Sequence, residues 1–194
     1  ISHDLRTPLT RLKLQLALLK QQDLAKKMAD DIEEMERMLN EYLEFSRHQK
    51  NEETETVNIN SLISEIIKKY DDKQINAQLG ENIKINIRTN SIKRCLINLI
   101  DNGLSYGKKI EIITKKTVGD AIIFVDDNGP GIPEHEYQNV MKPFYRIDKS
   151  RGQNKSGVGL GLSIANDIIY SHGGNISLEK SPLSGLRVRI SLPL

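Results

Sequence analysis

The sequence predicts an α+β protein in two parts. Residues 1–50 read as an antiparallel helical hairpin and residues 58–194 as an α/β sandwich, with a linker at 51–57. Three observations predict this. The apolar residues of the first fifty positions keep heptad spacing and include no glycine. Beyond residue 82, β-branched runs alternate in strand fashion between helical stretches. Glycine-rich loops then stand at the end of one such run and at the start of a helix.

In the first part, Leu5, Leu9, Leu12, Leu16 and Leu19 step by 4, 3, 4 and 3, a narrow seam on one helix. QQD at 21–23 breaks the pattern. Met28, Ile32, Met35, Leu39, Tyr42 and Ser46 resume it on a second helix. A short connection between two seamed helices makes an antiparallel hairpin. Two helices bury too little alone, so a dimeric four-helix bundle with a second copy is expected. On spacing alone, a plain dimerisation coiled coil is an equal reading.

KNEETETVN (50–58) is polar, acidic and without a seam, and reads as the linker. NSLISEIIKKY (60–70) follows as an amphipathic helix, and IKINI (83–87) as a strand. NSIKRCLINLIDNGLSYG (90–107) reads as a helix ended by Gly107. KKIEIITKKT (108–117) and DAIIFVDD (120–127) are strands joined by a Val-Gly turn. Residues 128–158 are loop-rich. GLSIANDIIYSHGG (161–174) is a helix stopped by a glycine pair, and NISLEKS (175–181) with GLRVRISLPL (185–194) forms a closing hairpin.

Composition narrows the class. Of 194 residues, 38% are hydrophobic and 28% charged, which suits a modest core. A net charge of +2 gives no sign of a nucleic-acid partner or of a polybasic membrane patch. The single cysteine, Cys95, excludes an intramolecular disulfide, and a reducing compartment is expected. No apolar run is long enough to span a bilayer. The chain opens on Ile1, so a membrane segment is expected, if anywhere, upstream of it.

Several groups carry possible chemistry. Asn98 and Asn102 lie four apart on one helix face, away from Ile92, Leu96, Leu99 and Ile100. They are either solvated or carbonyl donors to a hard cation such as Mg2+. DDNGPGI (126–132) ends a strand, with Gly129 and Gly131 around a proline. Alone, this is ordinary turn chemistry. SGVGLGLS (156–163) sets Gly157, Gly159 and Gly161 before a helix, where exposed backbone N–H groups suit phosphate oxygens. It is no P-loop, because no Gly-Lys-Ser/Thr follows. A polar loop precedes it where a dinucleotide fold needs a strand.

The order of these boxes is far more specific than any one of them. NLIDN (98–102), DNGPGI (127–132), PFYR (143–146) and GVGLGL (157–162) resemble the Bergerat-type ATP-binding domain of histidine kinases, the Hsp90 chaperone, gyrase-type topoisomerases and MutL. The resemblance covers residues 58–194. It implies that Asp127 accepts a hydrogen bond from the adenine amine, with Gly129 and Gly131 letting the backbone approach the base. It implies that Asn102 ligates Mg2+ with help from Asn98, and that Tyr106 packs near the nucleotide. Gly157, Gly159, Leu160 and Gly161 would cradle phosphate. Residues 142–158 would form a lid, with Arg146 meeting phosphate. Two departures stand out: Ser105 replaces a common Lys or Arg, and Gly103 a common alanine.

SHDLRTPLT (2–10) resembles the phosphoacceptor box of sensor histidine kinases, nearest to the EnvZ-like osmosensor kinases. Leu5 and Leu9 on the seam put His3 beside it, on the outer face. Neutral imidazole at near-neutral pKa is a competent nucleophile toward a γ-phosphate. Asp4 can fix the ring tautomer and take the proton. Pro8 removes an N–H and bends the helix. The resemblance implies that Thr7 holds the water that dephosphorylates a partner regulator. The expectation is a homodimeric histidine kinase core, using ATP and Mg2+ and serving a response regulator of OmpR-like type. It would form the cytoplasmic portion of a bacterial inner-membrane protein. Two alternatives stay open: an ATP-binding scaffold weakened by Ser105, and a chaperone-type ATPase.

Overall fold

In the computed structural model, the chain divides into two units, Ile1–Asn51 and Glu52–Leu194. The structure describes residues 52–71, 74–147 and 159–194, and in the first unit positions 9, 11, 12, 16, 25, 26, 28–30, 32, 33, 35, 36 and 39.

Every described position of the first unit is helical. Leu9 and Leu16 form a core with Ile32, against which Ala29 and Leu39 pack. The seam is thus used within one chain at alternate positions. Leu12, Met28 and Met35, also on the seam, are 42%, 40% and 52% exposed.

The second unit begins with strand β1 (Glu55–Asn58) and helix α1 (Ile59–Ile67). Asn58 caps α1, its side-chain oxygen accepting from the N–H groups of Asn60 and Ser61. Strands β2 (Ile75–Leu79) and β3 (Lys84–Ile87) lead to α2 (Thr89–Tyr106), followed by β4 (Ile110–Lys116) and β5 (Asp120–Asp127). A 3-10 turn (Glu134–Glu136) runs into the short helix α3 (Tyr137–Val140). Helix α4 (Gly161–Tyr170) and strands β6 (Asn175–Lys180) and β7 (Leu186–Pro193) complete the unit.

β1 and β3 form a small antiparallel pair, and the other strands a five-stranded sheet in the order β2-β4-β5-β7-β6. Only β2 against β4 is parallel in it; Ile75 faces Ile110 and Ala77 faces Ile112. Alternation decides the faces. Ile110, Ile112, Ile123, Val125, Val188 and Ile190 are buried, as are Leu96 and Ile100 of α2 and Ile164 and Ile168 of α4. Burying each such side chain stabilises by about 1.5–3 kcal/mol. Cys95 Sγ of α2 lies 3.9 Å from the Ala165 carbonyl of α4, so these helices meet side by side. The other parity of the strands carries Phe124, Asp126 and Arg187. Asp126 is fully buried there and accepts two bonds of 2.8 Å from the Arg187 guanidinium, which lies 4.6 Å from the Phe124 ring centre.

Three local expectations need correction, and one helix boundary shifts. Residues 55–58, read as linker, form β1, because Val57 pairs with Ile85 and fastens the segment to β3. β2 was not anticipated: INAQL is short, and its partner β4 lies far along the chain. The loop-rich stretch contains the 3-10 turn and α3. The regular turns of α4 end at Tyr170, short of residue 174, while the glycines make the stop as expected: Gly173 takes φ +73° and the Gly174 N–H donates to the Ile169 carbonyl at 3.0 Å.

Candidate nucleotide site

The site grows from the C-terminal half of α2. Leu96, Leu99 and Ile100 are buried against the sheet, and Asn98 and Asn102 are half-buried on the remaining arc. Gly103, one residue on, is buried so tightly that a Cβ there would overlap Ile110 Cδ1 and lie 3.3 Å from Asp127 Cβ. The glycine therefore brings Asn102 beside the end of β5. Ser105 is exposed, and its hydroxyl donates to the Asp101 carbonyl at 2.7 Å.

Asp127 is 8% exposed at the end of β5. Its Oδ1 accepts from the N–H of Gly129 at 2.7 Å and of Leu186 at 3.2 Å. Both donors fall on one oxygen, which orients the carboxylate and leaves the other oxygen for a donor from outside. Burial holds the Asp127 carboxyl above its ordinary range, while the two backbone N–H groups pull it down. Gly185 makes this geometry possible. A Cβ on it would overlap Asp127 Oδ1 and the Asp127 carbonyl, and stand 2.6 Å from the Gly129 nitrogen.

The remaining boxes close around this floor. A Cβ on Gly129 would sit 3.1 Å from the Tyr106 carbonyl, so the glycine lets the loop after β5 touch the end of α2. Tyr106 itself is 44% exposed. Gly131 takes φ +72° and approaches Gly185. Asn128 ties the corner: its Oδ1 accepts from Lys108 N–H at 2.7 Å and Lys109 N–H at 2.9 Å.

At the opposite side, α4 begins at Gly161, whose Cβ position lies 3.8 Å from the Asn98 carbonyl. Leu160 is buried at the cap position, and Gly159 takes φ +76°. Gly159 abuts Tyr145 and the Arg146 side chain, and its carbonyl accepts from Phe144 N–H at 2.9 Å. Phe144 has φ +65°, a strained value for an aromatic residue. Tyr145 donates to Glu136 Oε2 at 2.8 Å, and Asn139 donates to the same oxygen at 3.1 Å.

The structure brings Tyr106, Asp127, Gly129 and, through Gly185, Gly131 together in one corner, and Asn98, Gly161, Leu160, Gly159 and Arg146 in another, with Asn102 between them along α2. His3, Asp4, Thr7 and Gly157 lie outside the described residues. Sequence reasoning missed Gly185, Asn128 and Glu136. Only Asn128 had a local signal, its place within DNGPGI. Among the described residues no helix is long and apolar enough to cross a membrane.

Residues 87–194 match the histidine kinase-, DNA gyrase B-, and HSP90-like ATPase family, and residues 1–51 match the His Kinase A (phospho-acceptor) domain. Over its whole length the chain is 36% identical to the sensor histidine kinase GtrS of Pseudomonas aeruginosa, spanning 40% of that protein. It is 36% identical to the sensor histidine kinase CpxA of Escherichia coli, spanning 46% of it. The chain therefore spans less than half the length of these relatives. The solved histidine kinase domain of the E. coli osmosensor EnvZ superposes with a TM-score of 0.56 at 31% identity, covering 72% of this chain and 88% of that one. Two family matches in this order, with identity running through both, mean that the chain belongs to the two-component sensor histidine kinases.

Proposed function

We propose that this chain is a histidine kinase core that binds ATP, transfers the γ-phosphoryl group to His3, and passes it to an aspartate of a response regulator. The observation that carries the reading is Asp127, a buried carboxylate with one oxygen oriented by two backbone N–H groups. A carboxylate only accepts, so it favours adenine, whose edge carries an amine, over guanine, which carries an oxygen there. The N–H groups that open α4, together with Gly159 and Gly157, meet the phosphates. Arg146 adds positive charge. Asn98 and Asn102 suit Mg2+, which takes amide oxygens beside phosphate oxygens and would neutralise charge on the β- and γ-phosphates. Among the described residues no group of three His, Cys, Asp or Glu side chains offers another metal centre.

In the transfer, a ring nitrogen of His3 attacks the γ-phosphorus, the bond to the ADP oxygen breaks, and Asp4 accepts the ring proton. An aspartate of an OmpR-like regulator then takes the phosphoryl group. Thr7 places the water that hydrolyses the regulator's aspartyl phosphate, breaking its P–O bond to the carboxylate and releasing inorganic phosphate. A homodimer is supported by Leu12, Met28 and Met35, seam residues left exposed in a single chain. A membrane segment would precede Ile1 in the whole protein, leaving this part in a bacterial cytoplasm. Neither function calls for nucleic acid.

Incubation with γ-labelled ATP and Mg2+ tests the reading. Acid-labile label on the wild type and none on His3→Gln is expected. Nucleotide binding without label would instead identify a scaffold, and free phosphate released independently of His3 a chaperone-type ATPase.

A further inference from the structure

Helix α2, which carries both asparagines, lacks a cap of its own. Its N-cap residue Arg88 makes no side-chain cap bond, and no acid stands in its first turn. The first N–H groups of such a helix need partners from elsewhere. They find them in the acidic stretch that reads as linker. Glu52 accepts from Asn90 N–H, from Ser91 N–H at 3.1 Å and from Ser91 Oγ at 2.8 Å. Glu55 accepts from Thr89 Oγ1 at 2.6 Å. Both carboxylates also sit at the positive end of the helix dipole, where negative charge is favoured.

The same corner is braced from the other side. Arg88 N–H donates to His172 Nε2 at 3.1 Å, and the Arg88 guanidinium donates to the Ser171 carbonyl at 3.1 Å. The base of α2 is thereby fixed to the end of α4, and residues 52–55 are fixed to the base of α2. Glu52 is also the first residue of the second unit.

We infer that Glu52 and Glu55 are positioning residues for phosphoryl transfer: they hold residues 52–55 on α2 and so set how much free chain joins the ATP-binding unit to the hairpin that carries His3. The inference rests on the histidine-kinase reading above. Freeing residues 52–54 would add about 10 Å of slack at ~3.3 Å per residue. The effective concentration of a tethered reactant falls steeply as slack grows. Nucleotide contacts at the far end of α2 are untouched by this change.

The test uses the whole chain, with Glu52→Ala, Glu52→Ala/Glu55→Ala and Glu52→Gln. The alanine variants should lose about threefold to tenfold in kcat for labelling of His3, with KM for ATP unchanged. Amide exchange at Asn90 and Ser91 should quicken. Glu52→Gln, which keeps one acceptor oxygen, should recover part of the rate. Unchanged exchange at these amides, an unchanged or raised kcat, or a parallel loss of ATP affinity and Tm would each overturn the inference. A wild type that takes no label would overturn the kinase reading itself, a result distinct from labelled wild type with unaffected variants.

Discussion

Gly185 lies against the carboxylate of Asp127, with no room for a Cβ between them. The two residues are far apart in sequence, yet the start of β7 can donate its Leu186 N–H to Asp127 only because Gly185 lacks a side chain. Gly185→Ala should therefore displace the Asp127 carboxylate. Overpacking of this kind costs about 1–3 kcal/mol. The expected result is a lower Tm and a loss of ATP affinity of about tenfold or more, measured by calorimetry and nucleotide titration. Gly119→Ala, where a Cβ would meet nothing within 4 Å, should show neither effect.

Asp127→Asn should separate binding from stability. Asparagine keeps an oxygen for the Gly129 and Leu186 N–H groups but turns an N–H toward the adenine amine. ATP affinity should fall about 10- to 100-fold, the value of a hydrogen bond to a charged group. The apo protein should gain. Burial raises the Asp127 carboxyl in the folded state, so the fold is favoured at low pH and loses that advantage as pH rises through the raised value. At about pH 7 the variant should melt at or above the wild type. The difference should shrink as pH drops into the carboxylate range, as melting curves across pH would read.

Gly103→Ala tests the departure from the family pattern. Alanine is the better helix former by about 1 kcal/mol. Here its methyl would overlap Ile110 Cδ1, a flexible side-chain end. The single variant should be destabilised despite its propensity. Ile110→Val deletes the Cδ1 methyl, so the double variant should recover most of the loss. Denaturant unfolding of the four proteins in this cycle gives the coupling, expected at about 1 kcal/mol or more.

His172 should govern stability in mild acid. Its Nε2 accepts from Arg88 N–H and its Nδ1 lies 2.7 Å from the Ile168 carbonyl, which fixes a neutral ring donating from Nδ1. Burial is the main cause holding this imidazole below its usual value, and Arg88 adds to it; Glu52 and the Ile168 carbonyl oppose. A lowered histidine contributes stability above its unfolded value, about 6.5, and loses it as pH falls through that value toward the folded one. Tm should thus drop more steeply between about pH 7.5 and 5.5 in the wild type than in His172→Gln.

The sequence carried the local part of this site and little of its long-range part. Asn98 and Asn102 announce a shared face because helical spacing is a local rule, whereas Gly129 and Gly131 read alone as an ordinary turn and point to close approach only through their place in the ordered boxes. Gly185 gave no such notice, since its constraint comes from Asp127 across the sheet. β2 escaped for a related reason: its five residues become a strand by pairing in parallel with β4. Glu52 and Glu55 stand in a polar, acidic run that reads as linker, with nothing local to single them out. Their partners, the open N–H groups of α2, appear only once that helix lacks a cap of its own.

Cys95 has a consequence for how the fold can be followed in solution. It is fully buried between α2 and α4, and burial pushes its thiol up to about 12. A thiolate is the reactive form, so a maleimide or aromatic disulfide reagent in neutral buffer meets a silent protein. Modification can proceed only when those two helices part. The rate of thiol capture is then a clock for opening of the nucleotide unit, and any cysteine introduced on its surface becomes a unique handle without first removing the native one.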